Sequence, residues 1–292
     1  AYEIYQCDWS SDVCSSDLGE AGFVGADADA ARLLLGVTDS GLIDFDVAVN
    51  LTRAVGQTMA RLADWEVTAL LQKVEELAGE DLAENRIETA IALVREFNRP
   101  FEGLLVYAWR RHLAAAAARM EALRASEEDL HTVEVSVGFA DIVGFTALSN
   151  TLTQERIGDL VELFEMRCAD VVNAQRGRVI KSIGDSVLFV NDDPIRAYDT
   201  AEGIIAVIGR DSRMPDVRVG LASGAVVQRL GDVFGPPVNL ASRLTGVARR
   251  NRIIIDAMTA ALLPTDEFET RRLPARPVRG FGLVEPVAVR RR

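Results

Sequence analysis

Residues 133–141 read VEVSVGFAD, and the fold is decided there. The stretch has the composition of a buried strand and ends in an acid, Asp141, where the loop IVGFTAL (142–148) begins. Downstream, QERIGDLVELFEMRCADVVNAQR (154–176) sets Ile157, Leu160, Val161, Phe164 and Cys168 on one stripe, the three- and four-residue recurrence of an amphipathic helix. GRVIKSIG (177–184) and DSVLFVN (185–191) predict a hairpin around Gly184, with Asp185 at its turn. A second helix, 193–210, opens with Pro194 at a first-turn position, where the missing N–H has no intrahelical role. VRVGLASGAVV (217–227) predicts a long strand, VNLASRLTGVA (238–248) a helix, RIIID (252–256) a strand, and TRRL (270–273) and EPVAVRR (285–291) later short strands. The order β-α-β-β-α-β predicts a ferredoxin-like antiparallel sheet covered by helices, with extra C-terminal strands.

Upstream the rhythm changes. From Asp27 to Leu130 the pattern is helical, with no β-branched alternation. Leu33, Leu34, Leu35 and Val37 precede a turn at Asp39-Ser40-Gly41. Asp44 reads as the N-cap of a run through Val47, Leu51, Val55, Met59 and Leu62. Further runs hold Val67 to Leu77, ending at Gly79, then Ile87 to Phe97, then Leu104 to Leu123 after Pro100. The expected fold class is α+β, an N-terminal all-α bundle followed by a ferredoxin-like βαββαβ domain. The expected boundaries are a helical domain over 21–124, a polar connector over 125–132 (ASEEDLHT) and a second domain over 133–292. Residues 1–20 carry two of the three cysteines and no apolar periodicity; they read as non-native or disordered and stay outside the fold reading.

Charge separates the same two halves. Residues 1–131 hold 11 Lys+Arg against 24 Asp+Glu, whereas 132–292 hold 21 against 20. Neither half has the basic excess of a nucleic-acid binder. With 49% apolar and 26% charged residues the composition is that of a globular protein, and no apolar run reaches the length of a membrane span. The N-terminus does not read as a secretory signal, and three unevenly spaced cysteines point to a reducing, cytoplasmic setting rather than a disulfide framework.

The chemistry centres on two acids at strand ends. In a ferredoxin-like sheet the first and third core strands are neighbours, so Asp141 and Asp185 can meet at one edge. Two hard-oxygen ligands beside a glycine-bearing loop suit Mg²⁺ carrying a polyphosphate; the other reading is that both acids merely mark solvated strand ends. Lys181 is one of only two lysines among 32 basic residues, which points to a demand for a compact donor rather than a guanidinium.

FADIVGFTALS (139–149), KSIGDSVLF (181–189), VRVGLASG (217–224) and GDVFGPPVNLASRL (231–244), in this order, resemble the catalytic domain of class III nucleotidyl cyclases. The resemblance covers about residues 133 to 290; by helix pattern and domain order alone, the helical half is similar to the regulatory domain of soluble mycobacterial adenylyl cyclases. What the resemblance implies is conversion of ATP to 3′,5′-cyclic AMP and pyrophosphate, with two cations, Mg²⁺ or Mn²⁺, per site. It assigns the cations to Asp141, Asp185 and the backbone carbonyl of Ile142. Lys181 and Asp232 match the pair that selects the base, a donor and an acceptor complementing N1 and the 6-amino group of adenine. Asn239 would orient the ribose and Arg243 would stabilise charge on the α-phosphate, their four-residue spacing putting both on one helix face. Arg218 and Arg279 match positions that hold the polyphosphate, Arg279 standing where lysine is common, and Phe145 and Thr146 lie in the loop whose N–H groups face phosphate oxygens. Pro236-Pro237 departs from the family pattern. Lys181 and Asp185 share one hairpin, too close to serve opposite ends of one nucleotide, and the family resolves this with a head-to-tail homodimer with two composite sites. The alternatives are a guanylyl cyclase, or a catalytically silent nucleotide-binding dimerisation module. Regulation by the helical half, through pH at His112 or His131, is a further expectation.

Overall fold

The computed structural model describes residues 25–77, 86–125, 132–229 and 231–292. The expected segment 1–20 and most of the 125–132 connector, His131 included, lie outside them. The chain divides into two units at Arg111–His112, within a long helix.

The N-terminal unit is helical, in fewer and longer pieces than the periodicity suggests. Helix α1 spans Gly25–Asp39, α2 spans Phe45–Leu77 and α3 spans Arg86–Ala125. Asp44 caps α2 as expected, its Oδ1 accepting from the Val47 N–H at 2.8 Å. The runs read separately on either side of residues 63–66 form one helix, because a five-residue step from Leu62 to Val67 shifts the stripe without supplying a breaker. Pro100 likewise sits inside α3 rather than opening a new helix, since one lost N–H does not end a segment of 40 residues. Among the residues of α1 to α3 whose exposure is described, Ala48 is the one that is buried. Leu51 remains 50% exposed, Val55 59% and Trp109 61%.

The C-terminal unit is the expected sheet. Strand β1 (Thr132–Ile142) leads through α4 (Phe145–Ser149) to α5 (Gln154–Ala174), then the hairpin β2 (Arg178–Ile183) and β3 (Ser186–Asn191), α6 (Pro194–Gly209) and β4 (Val217–Arg229). The spatial order β2-β3-β1-β4 places β1 between β3 and β4, antiparallel to both. Beyond β4 the sheet continues with β6 (Ile253–Ile255), β10 (Val287–Arg291) and β7 (Phe268–Arg272), β4–β6 being a parallel pair. Five short elements escape the sequence reading, the first being α4, which stands where 142–148 reads as a loop. The other four are β5 (Asp232–Phe234) paired to β4, α8 (Ala257–Leu262), and the hairpin β8 (Arg276–Val278) with β9 (Gly282–Val284). Elements of three to six residues are too brief to show a period.

Alternation along β1 sorts the two faces. Val133, Val135, Val137 and Phe139 pack with Leu188, Val190 and Ala241 on the face covered by α7 (Pro236–Val247). Ala140 and Ile142 face α5 and α6, among Phe164, Cys168, Ile204 and Phe189. Close packing dictates two glycines. A Cβ at Gly138 would lie 2.2 Å from the Phe189 ring, and one at Gly220 would lie 2.4 Å from the Thr245 backbone nitrogen of α7. Among the described residues no helix is long and apolar enough to cross a membrane.

Candidate active site

Register on the α7 face of the sheet brings three residues into line. Asp141 on β1 stands opposite Ser186 on β3 and Arg218 on β4. Ser186 Oγ donates to Asp141 Oδ1 at 2.6 Å; Arg218 Nε donates to Asp141 Oδ2 at 2.7 Å, and Nη2 lies 2.6 Å from the same oxygen. Asp185, at the β2–β3 turn, accepts the Ile142 N–H on its backbone carbonyl at 3.1 Å, which ties the turn to the end of β1. Burial, and after it the charge of Asp141, pushes the Asp185 carboxyl above its ordinary range, while a backbone hydrogen bond and Arg218 pull the other way. Two carboxylates that repel in a half-buried spot are an arrangement a dication relieves.

The donor set fits a hard cation. No group of three or more His, Cys, Asp or Glu side chains gathers into a metal cage among the described residues. Two carboxylates and a nearby carbonyl leave the remaining positions to water and substrate oxygens, the manner in which Mg²⁺ is usually held.

A second cluster lies on the same face. Lys181 on β2 pairs with Leu188, whose side chain belongs to the α7-side core, so the lysine shares that side. The β2–β3 register shifts between Val179 and Lys181; the bulge re-aims the strand and brings Lys181 out on this face. Its Nζ lies 2.5 Å from Asp232 Oδ2, while the other carboxylate oxygen of Asp232 accepts the Val233 N–H at 2.8 Å. Strand β5, which carries Asp232, is positioned by pairing with the end of β4.

Helix α7 buries Pro237, Ala241, Leu244 and Thr245 and leaves Asn239 and Arg243 exposed, one turn apart. The diproline occupies its first two positions, where neither N–H would have a helical acceptor. Phe145 and Thr146 open α4, Phe145 leaning on the core; N–H groups at such positions lack intrahelical acceptors. Arg279 is exposed at the β8–β9 turn.

Thus the structure joins Asp141, Asp185 and Arg218 in one cluster and Lys181 with Asp232 in another. Asn239, Arg243 and Arg279 make no hydrogen bond or ion pair with either. The sequence reading missed Ser186; its only signal is its place directly after Asp185, and its partner is set by register.

Residues 128–289 match the model of the adenylate and guanylate cyclase catalytic domain. The chain belongs to this family. Adenylate cyclases of Streptomyces coelicolor and Streptomyces griseus are each 36% identical to it, over 305 and 318 residues, covering 95% of this chain and 79% of the relative in both cases. Among solved structures, the catalytic core of a rhodopsin-guanylyl cyclase with converted specificity, in complex with ATPαS, is 26% identical with a TM-score of 0.52. That match covers 56% of this chain and 98% of the other. Cyclase domains of this class act on nucleotides with divalent cations, in agreement with the oxygen donors at the end of β1.

Proposed function

We propose that this protein is an adenylate cyclase that turns ATP into 3′,5′-cyclic AMP and pyrophosphate in composite sites formed by two copies of the chain. The observation that carries the reading is the Lys181–Asp232 pair, preformed at 2.5 Å on the same sheet face as the Asp141–Asp185–Arg218 cluster but separate from it. The kinship with adenylate cyclases over 95% of the chain supports it.

In this reading Lys181 donates to adenine N1 and Asp232 accepts from the 6-amino group. Guanine presents the opposite polarity, so the wrong base leaves both groups unsatisfied. Asp141, Asp185 and the Ile142 carbonyl of one copy would hold two divalent cations, Mg²⁺ or Mn²⁺, which would supply positive charge to the ribose 3′-hydroxyl and to the departing phosphates. The O3′–Pα bond forms as the bond from Pα to the bridging oxygen of the β-phosphate breaks; the hydroxyl proton passes to solvent water and pyrophosphate leaves. Arg218, held beside Asp141, meets the polyphosphate with the N–H groups of Phe145 and Thr146, while Arg279 reaches it from the partner copy, which also supplies Lys181 and Asp232. From the partner copy Asn239 orients the ribose and Arg243 meets the charge that builds on the α-phosphate, a preorganised donor of the kind that dominates phosphoryl transfer. The helical half regulates this activity; His112 is exposed on α3.

Complementation tests the arrangement. Asp185→Asn and Arg243→Ala each lose at least about a hundredfold in cyclic AMP formation. Mixed in equal amounts they regain about a quarter of wild-type turnover, since half the dimers are mixed and each then has one intact site. A mixture that stays silent overturns the composite site; turnover of GTP above ATP overturns the assignment of Lys181 and Asp232; ATP binding without product favours a silent module.

A further inference from the structure

A cleft of about 760 Å³ opens on the α7 face of the sheet, between the end of α7, β6, β7 and β10. Neither catalytic cluster lines it, nor do Asn239, Arg243 or Arg279. Its floor is apolar: Ile254, Leu273 and Ala288, which pack with Leu244 and Ala248 at the end of α7. Its walls hold five arginines, Arg249, Arg252, Arg271, Arg276 and Arg290, against a single acid, Glu269. Glu269 is already committed, to Arg290 at 2.5 Å. The other four guanidinium groups have no ion-pair partner among the described residues.

Local composition accounts for only part of this bias, since residues 249–292 hold ten arginines against five acids whereas the cleft holds five against one. The chain carries 44 acids and a net charge of −12, and residues 132–292 balance 21 basic against 20 acidic residues. Four unpaired guanidiniums around one concavity repel one another, and a bound anion removes that cost. Their planar forks match phosphate oxygens two at a time, which a solvated carboxylate-free surface does not require. The volume falls within the range of small-molecule sites, about 300–1,000 Å³. An inorganic ion would leave the floor of Ile254, Leu273 and Ala288 against water; a ligand with both a flat apolar part and a polyphosphate covers floor and walls together.

We propose that this cleft is a second ligand site, apart from the active site, which takes a nucleoside polyphosphate with its phosphates on Arg249, Arg252, Arg271 and Arg276 and its base on the apolar floor. The inference stands on the cleft alone and does not depend on which nucleotide is cyclised.

The test is calorimetric titration of the full chain with ADP in EDTA, which silences cation-dependent binding at Asp141 and Asp185. Wild type binds ADP, and inorganic pyrophosphate more weakly. The double variant Arg249→Ala/Arg271→Ala, and separately Arg276→Gln, lose at least about tenfold in ADP affinity, the scale of a charge-assisted hydrogen bond. Both keep wild-type turnover at saturating ATP, and Lys181→Ala keeps its ADP affinity in EDTA. All the substituted arginines are exposed, and Arg276→Gln retains most of the side chain should the double variant fold poorly. ADP affinity unchanged in the arginine variants overturns the site, as does no binding to wild type or loss of binding in Lys181→Ala. Pyrophosphate binding as tightly as ADP overturns the nucleoside part of the proposal.

Discussion

The two units of this chain use the same apolar residue types to opposite effect. In the C-terminal unit Phe164, Phe189, Leu188 and Leu221 are fully buried, because the sheet has a covered face on each side, with α5 and α6 on one and α7 on the other. In the N-terminal unit Leu51, Val55, Leu104 and Trp109 lie at least half exposed along α2 and α3. A helix satisfies its backbone hydrogen bonds by itself and so forms its pattern without burying its stripe; a strand satisfies its backbone only by pairing, and pairing builds the layer that buries its side chains. Periodicity therefore reports secondary structure in both regions but reports burial only where long-range pairing exists.

The contrast can be broken or sharpened by substitution. The largest effect is expected for Phe189→Ala, which empties a fully buried aromatic site over Gly138 and costs about 3–5 kcal/mol. Urea titration followed by cyclase activity should show this loss while far-ultraviolet ellipticity from α1 to α3 persists. Leu51→Ala, by contrast, should cost less than about 0.5 kcal/mol in dilute protein; a larger cost would mean that its stripe is covered in solution. A middle-sized effect comes from one capping chemistry in two settings. Asp256 caps α8 while buried, its Oδ1 accepting from the Thr259 N–H at 2.9 Å and hydroxyl at 2.5 Å. Asp256→Ala should cost about 2–3 kcal/mol in thermal unfolding, against about 1 kcal/mol for the exposed cap Asp44→Ala. The smallest effect is acid-dependent. Asp211 is hydrogen-bonded by Arg213 and Arg167, and its carboxyl is held well below the usual carboxylate range, the Arg213 side-chain bond first among the causes. A depressed folded value contributes stability above the unfolded value, about 3.9, and that contribution is lost as pH falls below it. Melting temperatures of wild type should therefore drop more steeply below about pH 4 than those of Asp211→Asn; parallel curves would break the assignment.

Much of this organisation was legible in the amino-acid order. The strand 133–141, the stripe from Ile157 to Cys168, the turn at Gly184 and the cap at Asp44 are all local signals, and all are present in the structure. Five runs became three helices because a shifted stripe was read as an interruption at residues 63–66, and a proline as a start at Pro100. At the candidate site the residue types and the adjacency of β1 and β3 were readable, but Ser186 was not. Its contact with Asp141 depends on the pairing Asp141↔Ser186, and a slip of one residue would turn it to the opposite face. Lys181 reaches Asp232 only because the bulge after Val179 and the short β5 strand bring them together, and neither feature has a sequence period.

By itself the order of residues determined which chemical groups are present and which segments are helix or strand, since spacing along the chain is a local property. Tertiary structure alone decided which groups meet. Asp141 gathers Ser186 and Arg218 across three strands, Lys181 turns to Asp232, and four arginines converge on one cleft, because register and face belong to pairs of elements and are encoded in no single one.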